Sequence, residues 1–405
     1  MTIFPGFEWN RRGRWQHVAA ACAAATVASC ALAGCNVRPG PSTAAATGPT
    51  ARATGSPPPP VVVGYRLNGV AALSAASAWA VGTSNQGALR LIRWDGRSWR
   101  RVPSQGSGDF NGVAAISAAD AWAVGYGADN RALVEHWNGT AWTPVATPSD
   151  GGPAILHAVA AVSPADVWAV GGSTSLPGKA VILHWNGTAW ARVSSSPTLP
   201  GAFSELNGVA ATSAGNAWAV GDAQTKRLRM PLIEHWNGTA WRRVASPALR
   251  FGGVLNGVAA TSATSAWAVG VRIGARGTTG LIEHWNGTAW TLVRSPTLPM
   301  GGLASVTALS GTSAWAVGGT VHRPRIQVTV IERWNGRSWV LVPSPAKGFL
   351  ASVTASSSRD AWAVGLDRSS PVRGTGIIEH WNGSSWNCVS ATGKAARCPG
   401  QSGAA

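Results

Sequence analysis

The stretch Ala121-Trp-Ala-Val-Gly125, followed ten residues later by Glu135-His-Trp-Asn-Gly-Thr-Ala-Trp142, decides the fold. The chain repeats it seven times. Its first half recurs around Trp79, Trp122, Trp168, Trp218, Trp267, Trp315 and Trp362, at steps of 43, 46, 50, 49, 48 and 47 residues. Its second half recurs as the pairs Trp94/Trp99, Trp137/Trp142, Trp185/Trp190, Trp236/Trp241, Trp285/Trp290, Trp334/Trp339 and Trp381/Trp386. These positions take 21 of the 23 tryptophans. A period of about 40–50 residues, holding several short strands, is the signature of a β-propeller.

One repeat serves as the model. Leu206–Ala211 reads as a strand with small side chains, suited to a crowded axis. Ala217–Gly221 reads as a second strand, with Trp218 and Val220 on one face by two-residue alternation. Pro231–Trp236 is a third strand. Asn237-Gly238 predicts a two-residue hairpin turn, both positions tolerating positive φ. Thr239–Val244 is a fourth, outer strand. Four antiparallel strands make one blade, so the fold class is all-β, a seven-bladed propeller over residues 61–390. Each buried indole removes on the order of 200 Å² from water. The tryptophans therefore read first as inter-blade core. Val61–Tyr65 reads as an extra strand along the edge of blade 7 or blade 1.

Strands ending in Gly or Gly-Gly (Gly171-Gly172, Gly318-Gly319), then a variable loop and an aromatic turn, resemble the kelch repeat. The pattern is also similar to tectonin repeats and to the propellers of photosystem II assembly factors. The resemblance covers about 80% of the chain. It implies a propeller and, by analogy alone, a scaffold role in assembling a membrane complex. Propellers host binding modules and enzymes alike.

Residues 1–35 read as an export signal. Arg11, Arg12 and Arg14 precede an uncharged apolar run, His17–Gly34, too short and Ala-rich for a comfortable membrane span. It ends Leu32-Ala33-Gly34-Cys35, which resembles the lipobox of bacterial lipoproteins. That family implies cleavage before Cys35 and diacylglyceryl on its thiol, placing the protein outside the cytoplasmic membrane. Residues 36–60 are a Pro/Ala/Thr-rich tether with nothing to bury. Residues 391–405 are a flexible tail. Cys388 and Cys398 are expected to form a disulfide in an oxidising compartment, two free thiols being the alternative.

Charge is sparse and one-sided: 33 basic against 16 acidic residues, and only four lysines. A GC-rich genome accounts for part of the excess. The rest favours anionic partners. The loops between second and third strands leave on the same side as the links between blades. In blades 1–3 they carry Arg90, Arg131 and Lys179. In blades 4–7 they carry Lys226, Arg227 and Arg229; Arg272 and Arg276; Arg323 and Arg325; Arg368 and Arg373. The links bring apolar tips: Leu199 and Phe203, Leu249 and Phe251, Leu298 and Met300, Phe349. Arginine beside apolar groups is a frequent interface composition, so these basic residues are the binding-face candidates.

The recurring His136, His184, His235, His284 and His380 lie in different blades, too far apart around a ring to share a metal. Glu135, Glu234, Glu283, Glu332 and Glu379 precede them and fall to the same argument, pairing with neighbouring arginines. The Asn-Gly-Thr sequons are explained by turn chemistry. Glycoside hydrolysis needs two carboxylates a few ångströms apart. The acids outside the repeat (Asp109, Asp129, Asp150, Glu205, Asp222, Asp367) come from different blades with no motif around them. No catalytic residue, cofactor or metal is assigned. The expected function is non-catalytic binding of a protein or anionic envelope polymer by a monomer, with no specific nucleic-acid partner. A carbohydrate-active hydrolase or lyase is the alternative.

Overall fold

The computed structural model describes residues 65–84, 87–149, 152–175, 177–196, 203–224, 228–297, 299–322, 326–367, 374–390 and 398, and three short segments near the N-terminus. The chain divides into two compact units, Met1–Val62 and Val63–Ala405. In the first, Thr2–Phe4, Phe7–Trp9 and Trp15–His17 form a three-stranded antiparallel sheet. The second is a seven-bladed propeller. Each blade is one four-stranded antiparallel sheet whose strands are consecutive in sequence. Among the described residues there is no helix.

Blade 4 shows why the repeat folds this way. Its inner strand is Phe203–Ser213, its second Asn216–Gln224, its third Arg229–Trp236 and its outer Trp241–Arg243. A bulge between Leu206 and Gly208 leaves Asn207 unpaired in the register. Its amide donates to the Leu255 carbonyl of blade 5 at 3.0 Å. Asn68, Asn111 and Asn256 reach the next blade in the same way. The glycine that closes each Trp-Ala-Val-Gly faces this bulge. A Cβ on Gly221 would sit 2.0 Å from the Glu205 carbonyl oxygen, and its six counterparts would meet theirs at 1.9–2.1 Å. No side chain fits there.

The core lies between blades. Trp218 is fully buried, and its ring meets Trp285 at 4.9 Å and Trp290, edge-on, at 5.1 Å, both from blade 5. The same trio forms at every interface. The seventh pairs Trp362 of blade 7 with Trp94 and Trp99 of blade 1. The backbone amides of Val70 and Ala72 also donate to the hydroxyls of Ser352 and Thr354. The ring is thus closed by side-chain packing and these hydrogen bonds, with no strand exchanged. Tyr65 is the first residue of blade 1's own inner strand, Tyr65–Ser74, rather than part of an added one. Val61–Gly64 lie outside the described residues.

The third-to-outer hairpin differs from expectation. Trp236 pairs with Trp241, so the loop has four residues, not two. Only Gly238 has positive φ, +93°. Asn237 acts through its side chain: Oδ1 accepts from Thr239 N, Thr239 Oγ1 and Ala240 N at 2.8–3.0 Å. This is an Asx turn, and Asp95 does the same in blade 1. Turn chemistry therefore engages the carbonyl oxygen of each sequon asparagine.

Cys388 and Cys398 form a disulfide, and both are buried against blade 7.

Candidate functional site

Loops between second and third strands share one side of the ring with the inter-blade links. Blade 5 contributes a fully described hairpin to this side. Its hairpin, Ser265–Gly274 and Gly277–Trp285, pairs to its tip, Gly274 opposite Gly277. Arg272 and Arg276 are exposed on it. The two flanking links are tied to this hairpin by backbone hydrogen bonds. Ile273 N donates to Gly252 O at 3.1 Å, and Met300 N donates to Thr278 O at 2.7 Å. The link before it presents Arg250 with its guanidinium 5.2 Å from the Phe251 ring centroid, a cation–π contact. Phe251 is 38% exposed and Met300 37%. Three arginines and two large apolar side chains thus share one braced surface. Among the described residues Arg250, Arg272 and Arg276 have no ion-pair partner.

The other apolar tips turn inward. Leu249 is 5% exposed, in the core between blades 4 and 5. Phe203 packs on Gly178 and Phe349 on Gly319. Leu199 and Leu298 lie outside the described residues, as do Cys35, Lys226, Arg227, Arg323, Arg325, Arg368 and Arg373.

Arg229 was expected on the open face and is instead enclosed. Its Nε and Nη2 donate to the two carboxylate oxygens of Asp222, each at 2.7 Å, and Nη2 also to Glu205 at 3.0 Å. Its side chain is 13% exposed and that of Asp222 is 0%. Burial pushes the Asp222 carboxyl up to about 6, against the pull of Arg229. Residues from three strands of blade 4 meet here, and Gly172 of blade 3 leaves room for Glu205.

A second polar cluster spans blades 1 and 2. Arg66 Nη2 reaches Asp109 at 2.6 Å, and the Tyr126 hydroxyl donates to the same oxygen at 2.5 Å. Burial, then this hydrogen bond, pushes the Tyr126 phenol up to about 12. A phenol so held stays protonated, the opposite of what a tyrosine nucleophile requires.

Among the described residues the recurring glutamates form no ion pair with arginine, although Arg243, opposite Glu234 in the register, acts on it electrostatically. Each is fully buried and receives hydrogen bonds from the link arriving from the preceding blade. Ser104 hydroxyl donates to Glu135 at 2.7 Å, Ser246 to Glu283 at 2.8 Å and Ser344 to Glu379 at 2.7 Å. Ser196 N donates to Glu234 at 3.1 Å, and Ser295 and Thr297 both donate to Glu332. In each, the second carboxyl oxygen is buried without a hydrogen-bond partner. Burial pushes Glu234, Glu283 and Glu379 up to about 7, and Glu135 and Glu332 upward. They act as clasps on the links, with burial favouring the protonated carboxyl in each. For Glu135, Glu283, Glu332 and Glu379 the donor is the serine of a recurring Val-x-Ser in the links, a signal present in the sequence; Ser196, the partner of Glu234, lies one residue beyond that position.

The histidines are structural. His235 stacks on Trp218 at 4.2 Å and contacts Asn216 at 2.7 Å. His136, His184 and His380 stack likewise and meet Asp120, Asp166 and Asp360. Arg93 and Arg333 stand over Trp79 and Trp315 in their place. No cluster of three or more His, Cys, Asp or Glu side chains suited to a metal occurs among the described residues.

The fold and these sites define a β-propeller with a braced basic and apolar surface on its loop face. No family model matches the chain, and no curated protein matches it. Solved structures do match. A GH74 xyloglucanase from Xanthomonas campestris is 15% identical with a TM-score of 0.56, over 80% of this chain and 55% of that one. This chain thus spans about half of that enzyme. YCF48 from Cyanidioschyzon merolae is 17% identical with a TM-score of 0.51, over 76% and 95%. A fucose-binding lectin from Aleuria aurantia, in complex with a fucosyl disaccharide, is 13% identical with a TM-score of 0.46, over 69% and 94%. At such identities the likeness is one of fold.

Proposed function

We propose that the protein is a non-catalytic binding module that takes up a protein or an anionic envelope polymer on the loop face of its propeller. Lipid on Cys35 holds it at the outer face of a bacterial cytoplasmic membrane. One observation carries the reading: Arg272 and Arg276, exposed on one hairpin, and Arg250, Phe251 and Met300, exposed on links hydrogen-bonded to it, share a surface where the three arginines have no ion pair among the described residues. Loops on a rigid scaffold are where binding residues usually sit. By sequence, Lys226, Arg227, Arg323, Arg325, Arg368 and Arg373 add charge to the loops on either side.

Several acids among the described residues are, by contrast, occupied. Asp222 and Glu205 are closed over by Arg229, Asp109 is held by Arg66 and Tyr126, and the five glutamates lie under the links. The test is a calorimetric titration of the full chain with anionic wall polymers and matched neutral glycans, at low and high salt. Tight binding of the anionic set that weakens steeply with salt supports the reading. Equal binding of both sets, without salt dependence, contradicts it. The anchor is tested by fatty-acid labelling in a bacterial host. Label is expected on the wild type and absent from Cys35→Ala.

A further inference from the structure

The link clasp is missing at one interface that a link crosses. Five blades carry a buried glutamate in the third strand, receiving hydrogen bonds from the incoming link. Blade 1, the first in chain order, receives no link and has Ile92 there. Blade 3 does receive one and has Leu183 at this position, where its second-strand partner is Ala169. Thr147 of that link stands where Ser104 and Ser246 stand elsewhere. With no carboxyl to meet, its hydroxyl turns back to the Ala132 carbonyl of its own blade, at 3.5 Å.

Between this link and the two blades lies a cavity of about 330 Å³. That is at the small end of ligand pockets. Its floor is apolar and almost fully buried: Val134, Val181, Leu183 and Ala154. Its rim carries two exposed arginines, Arg131 and Arg192. Asp129 meets Arg131 only loosely, Nε to Oδ2 at 3.6 Å. Arg192, directly opposite Leu183 in the register, has no ion pair among the described residues. No aromatic side chain lines the cavity to stack on a sugar ring. Among the described lining residues two guanidinium groups stand against one carboxylate, which disfavours a cation.

We propose that the cleft between blades 2 and 3 binds a small amphipathic carboxylate, its aliphatic body on Leu183 and Val181 and its carboxyl group between Arg131 and Arg192. The site is separate from the blade 5 surface and does not depend on that surface binding anything. Leu183 stands in its floor where the clasped blades have a glutamate. Where the clasp is present the link is held onto the next blade. At this interface the space is open and apolar, with Arg192 and the loosely paired Arg131 above it.

The test titrates the full chain with hexanoate, hexan-1-ol, hexylamine and acetate. Hexanoate is expected to bind about tenfold or more tightly than hexanol, which lacks the charge, and than acetate, which lacks the body. Hexylamine is expected not to bind. Leu183→Glu restores the clasp, with Thr147 as donor, and is expected to weaken hexanoate binding about tenfold or more. Arg192→Ala is expected to do the same, and as a surface change it remains informative if Leu183→Glu fails to fold. The Arg272→Glu/Arg276→Glu protein should bind hexanoate like the wild type. Hexanoate binding no tighter than acetate, or binding unchanged by Arg192→Ala, overturns the proposal.

Discussion

Trp362, in the last blade, meets Trp99, in the first, edge-on with ring centroids 5.1 Å apart. Trp79 meets Trp142 at the same 5.1 Å in the interface between blades 1 and 2. The interface that closes the ring is therefore built like those the chain connects covalently. Truncating a buried aromatic costs about 3–5 kcal/mol. Trp362→Ala and Trp218→Ala are both expected to fall in that range by urea unfolding. A closure that depended on the termini would instead leave Trp362→Ala nearly silent.

The clasps predict an unusual pH dependence. Glu234, Glu283 and Glu379 titrate near 7 in the folded protein and near 4.5 when exposed. The folded state therefore holds these protons more tightly than the unfolded state. Their contribution is full below about pH 4.5 and is lost as the pH rises through about 7. Asp222, raised to about 6, acts in the same direction. His235 and His284, lowered by burial, work against it below their usual range, but both are only half-buried. The melting temperature should fall between pH 5 and pH 8. Glu234→Gln/Glu283→Gln/Glu379→Gln, which keeps the acceptor oxygens, should flatten the fall and raise the melting temperature at pH 8.

Gly221→Ala should destabilise by roughly 1–3 kcal/mol or more, because its Cβ would lie 2.0 Å from a backbone oxygen of the neighbouring strand. Gly215→Ala, in a turn with nothing within 4 Å, is the control and should be neutral. Denaturant midpoints of the two variants decide this. Equal midpoints would mean that the bulge in the inner strand relaxes freely.

Much of this was legible in the sequence, for a physical reason. Blade number and strand order follow from a tryptophan period that only a closed ring of repeated sheets accommodates. The hairpin was misread because Asn237 works through its side chain, and Asn-Gly alone does not separate that from backbone at positive φ. The role of Glu234 was not legible because its partner, Ser196, lies 38 residues earlier in another blade. The binding-face arginines looked equivalent along the chain. Arg229 separates from Arg272 only when the fold brings Asp222 and Glu205 onto it.

That separation is testable. Removing one partner of a buried ion pair costs about 3–5 kcal/mol. Arg229→Ala should destabilise the protein to that extent, measured by urea unfolding. Arg229→Lys should rescue it poorly, since an ammonium does not reproduce the two-nitrogen contact to Asp222. Arg272→Ala and Arg276→Ala, on an exposed hairpin, should change stability by no more than about 0.5 kcal/mol.

The most direct measurement compares the wild-type full chain with Arg272→Glu/Arg276→Glu, titrated at low salt with the anionic wall polymer that binds best. The account predicts an unchanged melting temperature and an affinity lowered about tenfold or more, with a shallower salt dependence. An affinity equal to that of the wild type, in a variant of unchanged stability, would contradict the assignment of binding to this face.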